Sequence, residues 1–213
     1  MLEVVTPDLS PLYRQELRDM FRLRARVFGD RLGWQVEVRD GEERDEFDDQ
    51  EPVYLLALDD ERRVIGASRL LPTSRPHMLG EVFSVLLEDR SPLCDPRVLE
   101  WSKLAIDCSA GKSGGLASVR RLTRAFFCGV AEYSLLNGFH DVVTVYDARI
   151  LRLLPRIGCA AVWQSRPYRI GEQPAYAARF EVTAFLLERL RNACGLSGTV
   201  FRQMQTEEPS KAA

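Results

Sequence analysis

Histidine is nearly missing from this 213-residue chain, which contains only His77 and His140. Two histidines so far apart give little support to a histidine-rich metal centre or a serine-hydrolase triad. Lysine is equally scarce: Lys103, Lys112 and Lys211 are the only ones among 29 basic residues, so arginine supplies most of the positive charge. Basic and acidic residues nearly cancel, 29 against 31, and no basic excess points to a nucleic-acid partner. The longest apolar run, Val53–Leu58, is far short of the ~20 residues of a membrane span. The first thirty residues mix carboxylates and arginines without an apolar stretch, so no signal peptide is visible and a cytoplasmic location is expected. Five cysteines (Cys94, Cys108, Cys128, Cys159, Cys194) form no C-x-x-C pair, which fits reduced, mostly buried thiols; no metal site is expected. G-x-S-x-G and Walker A are also absent. Ser109–Leu116 (SAGKSGGL) lacks the full phosphate-loop spacing and reads as a flexible strand-to-helix turn.

What is present describes a globular chain, with 46% hydrophobic and 28% charged residues. At ~150 residues per domain, one domain over residues 1–195 is expected, with a loose tail over 196–213. Apolar residues at three- and four-residue steps predict a helix over 11–28, started by Ser10-Pro11. Residues 29–52 carry no periodicity but eight carboxylates between Glu37 and Asp49, and loops of this length are usually functional or disordered. Strands are predicted at 53–58, 64–71, 99–107, 142–146, 160–163 and 175–182. Asp59–Arg62 is a charged hairpin turn, and helices are predicted at 116–137, 148–157 and 184–193. The alternation favours an α/β fold, a three-layer α/β/α sandwich around a mixed sheet.

Several residues in this framework can carry chemistry. Arg24, Phe28 and Trp34 bring a cation and two aromatics together where the first helix ends; the plainer reading takes Phe28 as core and Arg24 as a solvated charge. Trp34, in a segment without periodicity, calls for a ligand or partner to cover it. Asp45 and Asp48 share a face if their segment turns helically, which suits a cationic ligand; a solvated acidic loop is the alternative. Glu100 enters a buried strand, where a carboxylate is either paired or functional. Strand alternation places Glu100 and Ser102 on one face and Trp101 and Lys103 on the other.

The set Arg24, Phe28, Trp34, Asp45, Asp48, Arg69, Phe83 and Glu100, with its spacing, resembles the LuxI-type acyl-homoserine-lactone synthases of bacterial quorum sensing. The strings Phe21–Arg24, Asp45–Asp48, Arg69–Thr73 and Glu100–Asp107 carry the match, which runs over about residues 1–190 and is looser in the second half. The resemblance implies a fold similar to the N-acetyltransferases and a reaction joining S-adenosylmethionine, as substrate rather than cofactor, to an acyl thioester on acyl carrier protein or coenzyme A. The products are an acyl-homoserine lactone and 5′-methylthioadenosine. It implies that Glu100 is the general base, directly or through water, and that Arg24, Phe28, Trp34, Asp45, Asp48, Arg69, Phe83 and Lys103 surround S-adenosylmethionine. Ser102 and Thr144 would line the acyl pocket, Thr144 being associated with a 3-oxo group. The family usually carries arginine where this chain has Lys103, which replaces a planar fork by a compact charge.

Two rival readings predict different features. A generic acyl-coenzyme A N-acyltransferase normally carries a Q/R-x-x-G-x-G/A pyrophosphate turn, which this sequence lacks. A non-catalytic module that binds a basic partner through the acidic segment would show no stabilisation by a small molecule.

Overall fold

The structure, a computed structural model, describes residues 1–88, 94–108, 115–170 and 173–202. The phosphate-loop-like stretch at 109–114 lies outside the described residues. The chain runs β1 (Leu2–Val5), α1 (Arg14–Arg24), β2 (Val38–Arg39), β3 (Glu42–Glu43), β4 (Val53–Leu58), β5 (Val64–Pro72), α2 (Met78–Glu81) and β6 (Val98–Ile106). It continues through α3 (Gly115–Leu136), β7 (Asp141–Asp147), α4 (Ala148–Leu153), β8 (Trp163–Gln164), β9 (Tyr168–Ile170), β10 (Gln173–Glu181) and α5 (Ala184–Cys194). An eight-stranded sheet in the order β1-β4-β5-β6-β7-β10-β8, with β9 also on β10, forms the middle layer. Its pairs are antiparallel except β6 with β7, so the sheet is mixed as expected.

Period-two alternation divides the core between the two faces. Leu55, Leu70, Trp101 and Val142 meet Phe126, Phe127 and Val130 of α3 and Leu187 and Leu190 of α5. Tyr54, Leu56, Ala67 and Ala105 meet Met20, Phe21 and Leu23 of α1 on the other side. Each of the larger aliphatic and phenylalanine side chains among them, taken fully out of water, contributes roughly 1.5–3 kcal/mol. Gly66 lets α3 approach β5 closely, since a Cβ there would lie 2.9 Å from the Phe126 ring.

Differences from the sequence reading have local causes. The first helix is not continuous over 11–28: Ser10–Leu12 forms a 3-10 turn, α1 begins at Arg14, and Ala25–Arg31 widens into a π-helix. The Ser10 hydroxyl donates backwards to the Pro7 carbonyl at 2.8 Å and does not cap a helix. The strand expected at 160–163 is confined to Trp163–Gln164. Of the loose tail expected over 196–213, residues 203–213 lie outside the described residues, and the stretch up to 202 returns to the sheet edge. The amides of Leu2 and Arg202 donate to the carbonyls of Val200 and Leu2, both at 2.8 Å, and Val200 is buried.

Two irregularities shape the centre of the sheet. β6 and β7 pair only from Val98–Asp141 to Trp101–Thr144. Beyond that point β6 stays with β5 as far as Ile106 and β7 stays with β10 as far as Asp147, so the sheet opens into a wedge. On the other side of β6 the register slips between Arg69–Ser102 and Ala67–Ala105. Lys103, at φ 55°, is the bulged residue, in the left-handed region that costs a non-glycine residue roughly 1–2 kcal/mol.

Candidate functional site

The bulge corrects the alternation expected for β6. Trp101 faces α3, but Ser102 and Lys103 both face the α1 side, where Ser102 accepts from Arg69 Nε at 3.3 Å and Lys103 Nζ donates to Glu43 Oε1 at 2.7 Å. Leu104 then packs in the α3-side cluster and Ala105 in the α1-side cluster. One extra residue thus delivers a cation to the face that already holds Arg69.

Around that cation six charges interlock. Arg24, at the end of α1, is 1% exposed and donates from Nε to Glu43 at 2.6 Å and from Nη1 and Nη2 to the two oxygens of Asp48 at 2.8 and 2.9 Å. Arg69 of β5 donates from Nη1 to Asp48 at 2.8 Å and also to Asp45. Lys103 lies 3.0 Å from Asp45 as well as bonding Glu43. Three cations balance three anions. The arrangement fits the rule that buried charge is tolerated only when paired and fully hydrogen-bonded. Tyr54 closes the set, its hydroxyl donating to Asp48 at 2.8 Å.

The acidic segment folds as the spacing of Asp45 and Asp48 suggests. Glu46–Asp49 is a 3-10 turn capped reciprocally: Asp45 Oδ1 accepts from the Phe47 amide and Asp48 Oδ2 from the Asp45 amide. Phe47 is buried beneath Arg69, whose guanidinium carbon lies 5.5 Å from the ring centroid. Burial by itself would raise the Asp48 carboxyl, but the charges and hydrogen bonds of Arg24 and then Arg69 hold it well below the ordinary range. Asp45 is lowered in the same way, burial opposing and Arg69 and Lys103 prevailing.

A pH dependence follows. Both carboxyls bind protons less readily folded than unfolded, so their stabilisation is complete above the ordinary aspartate value near pH 4 and is lost as pH falls below it. Urea midpoints measured from pH 6 down to 3 are expected to hold level and then drop below about 4. A flat profile to pH 3 would contradict the pairing.

Phe28, in the π-helical stretch, stacks on Trp34 with centroids 5.4 Å apart and planes at 22°. Lys103 Nζ sits 5.3 Å from the Phe28 centroid, so the aromatic pair adjoins the ion network. Trp34 stays partly exposed and turns back on the helix by donating its amide to the Phe28 carbonyl at 2.9 Å. Glu100 is 2% exposed; its oxygens accept from the amides of Leu79 at 2.6 Å and Met78 at 3.2 Å, which ties β6 to the start of α2. Phe83 packs between two apolar clusters, one with Phe47, Leu71 and Met78 and the other with Leu79, Leu86, Val98 and Val143. Thr144 stands beside Trp101 at the floor of the wedge, away from the charged network.

Glu43 is the member that the sequence reading omits. A signal for it exists: Asp40-Gly41, both at positive φ (52° and 78°), is a hairpin turn that pairs β2 with β3 and sets the position of Glu43. A surface depression of about 560 Å³ touches the network only at Asp45. Its walls include Arg22, Arg39 and Arg44, paired with Glu42, Glu37 and Asp49, and no aromatic ring lines it. Among the described residues, no helix is long and apolar enough to cross a membrane, and no three His, Cys, Asp or Glu side chains are grouped to hold a metal ion.

Known proteins similar to the chain identify its family. The family model described as autoinducer synthase matches residues 8–190. An acyl-homoserine-lactone synthase from Agrobacterium fabrum is 40% identical over 175 residues, covering 82% of this chain and 83% of the relative. The solved structure of a CoA-dependent acyl-homoserine lactone synthase, BjaI, with SAM and isopentyl-CoA superposes with a TM-score of 0.83 at 28% identity, covering 95% of this chain and 92% of that one. An N-acetyltransferase structure from Lactobacillus plantarum, at 15% identity and a TM-score of 0.54, shares the fold alone; it covers 85% of this chain and 99% of its own. With matches over most of its length and a central sheet of the same architecture, the chain belongs to the autoinducer synthase family and is an acyltransferase, an acyl-homoserine-lactone synthase.

Proposed function

We propose that the chain transfers an acyl group from a thioester to the amine of S-adenosylmethionine and then closes the lactone, releasing 5′-methylthioadenosine. The observation that carries this reading is the convergence of the balanced ion network, the Phe28–Trp34 stack and Glu100 around one face of β6. S-adenosylmethionine offers a matching inventory: a sulfonium and an ammonium for carboxylates and aromatic faces, a carboxylate for cations, and an adenine for stacking.

The roles divide by exposure. Arg24, Asp48 and Arg69 are paired and have side chains no more than 1% exposed, so they position the others. The Asp45 side chain is 21% exposed, the most open of the six, and with the half-buried Trp34 and Phe83, and Phe28 buried behind Trp34, it meets the cationic part of the substrate. Lys103 lies behind it, its side chain 5% exposed, and holds the substrate carboxylate. Glu100 accepts a proton from the ammonium, directly or through water, and the freed amine attacks the thioester carbonyl. The C–S bond of the thioester breaks and the thiolate leaves as the thiol. The substrate carboxylate then displaces the neutral thioether at its own γ-carbon, so a C–O bond forms as the sulfonium C–S bond breaks. That closure needs orientation more than acid-base help.

The acyl chain enters the wedge between β6 and β7, passing Ser102 and Thr144. Arg149, Arg152 and Arg156, all exposed on and after α4, offer a cationic face to an acidic carrier protein. The test is mass spectrometry of a purified reaction containing S-adenosylmethionine and acyl thioesters on coenzyme A and, separately, on acyl carrier protein. A lactone with an equimolar amount of methylthioadenosine is expected. Acylation without methylthioadenosine would leave a simple N-acyltransferase, and no product together with no thermal stabilisation by S-adenosylmethionine would end the reading.

A further inference from the structure

The Trp101 indole is a buried donor with no acceptor among the described residues: the residue is 6% exposed and Nε1 has no hydrogen-bond partner there. Its ring faces α3, edge-on to Phe127 at 4.8 Å and 89°. There it lines a cavity of about 30 Å³ walled by Val130, Val142, Phe180, Leu190 and other apolar side chains. An indole N–H can only donate, and leaving it unpaired in an apolar surround is unfavourable. Water is a poor remedy, because a buried water needs two to four polar partners and the lining side chains include no other strong donor or acceptor. The missing acceptor is therefore sought in a ligand.

The position says which part of a ligand. Trp101 and Thr144 form the last register pair before β6 and β7 separate, so the indole sits at the floor of the wedge. Glu100 bonds α2 and Ser102 bonds Arg69 on the opposite face. A thioester held on the Glu100 face and threaded through the wedge meets Trp101 within its first few carbons.

Resting on the synthase reading above, the geometry points to Trp101 as an acyl-selecting residue, its Nε1–H donating to an oxygen carried near the thioester end of the acyl chain. A saturated chain that reaches the indole leaves the donor unpaired, whereas a 3-oxo or 3-hydroxy chain satisfies it. The neighbouring Thr144 hydroxyl donates only at 3.5 Å, to the Val145 carbonyl, and can both donate and accept. The indole cannot reverse, so it distinguishes chains by the presence of an acceptor.

The experiment compares kcat/KM of the purified full-length chain for 3-oxohexanoyl and hexanoyl thioesters, each on coenzyme A and on acyl carrier protein, at saturating S-adenosylmethionine. The wild type is expected to favour the 3-oxo chain. In Trp101→Phe, which keeps an aromatic ring and removes the N–H, the ratio is expected to fall roughly tenfold, the worth of one hydrogen bond to a buried donor. A ratio that survives in Trp101→Phe assigns selection elsewhere and overturns the proposal. Equal wild-type values overturn it without the variant, so the test stands even if Trp101→Phe fails to fold. Lactone formation without the 3-oxo preference defeats this inference alone; no lactone from any thioester defeats the synthase reaction with it.

Discussion

Asp48→Asn is expected to cost about 3–5 kcal/mol of stability, the range for removing one partner from a buried ion pair. The Asp48 side chain is fully buried and takes five contacts: two from Arg24, one each from Arg69 and the Tyr54 hydroxyl, and one from the Asp45 amide. Asparagine keeps the shape but leaves three buried cations facing two anions, and its amide N–H₂ points donors at guanidinium donors. Against a total of roughly 5–15 kcal/mol for a folded domain, the loss takes the variant near the folding threshold. Urea denaturation should show a lower midpoint with an unchanged slope. Asp49→Asn is the control: that side chain is 70% exposed and pairs with Arg44 at the surface, where ion pairs are worth at most about 1 kcal/mol. An Asp48→Asn protein within 1 kcal/mol of wild type would mean that the network does not hold the acidic segment to α1 and β5.

Glu100→Gln is expected to lower the rate of lactone formation by roughly 10²–10⁴-fold while S-adenosylmethionine still binds, the range for losing a positioned general base. The geometry supplies a competing explanation that the experiment must separate, because Glu100 also accepts from the amides of Met78 and Leu79. Glutamine has one acceptor oxygen, so one of those amides faces an N–H₂ and α2 loosens. Steady-state kinetics distinguish the two. Loss of a base lowers kcat and leaves KM for S-adenosylmethionine unchanged, whereas a loosened α2 disturbs the substrate site and raises KM as well. Thermal stabilisation by S-adenosylmethionine, measured on the same sample, shows whether the substrate site survives. Wild-type turnover in Glu100→Gln would remove Glu100 from the proton transfer.

How much of the site was legible in the sequence can be followed residue by residue. Asp45 and Asp48 were readable because a three-residue spacing in a capped turn puts two carboxylates on one side, and they do meet Arg69. Trp34 was readable because a tryptophan in a segment without periodicity needs a surface to cover, and it covers Phe28. Arg24 was ambiguous: an arginine at the end of an amphipathic helix has the same local pattern whether it meets water or carboxylates nineteen and more residues away. Glu43 was lost among its acidic neighbours, although Asp40-Gly41 marked the hairpin that carries it. Lys103 was assigned to the wrong face because alternation presumes an unbroken strand, and neither lysine nor its neighbours announce a left-handed residue.

The sequence by itself determined the α/β class, the positions of the long strands and helices, and the family, because periodicity, turn chemistry and motif spacing are local or one-dimensional properties. Tertiary structure alone decided three things: the bulge that turns Lys103 to the charged face, the pairing of three cations with three anions, and the burial of a Trp101 donor that meets no acceptor among the described residues. Each depends on register between segments far apart in the chain, which is settled by packing across the sheet rather than by the residues within any one strand.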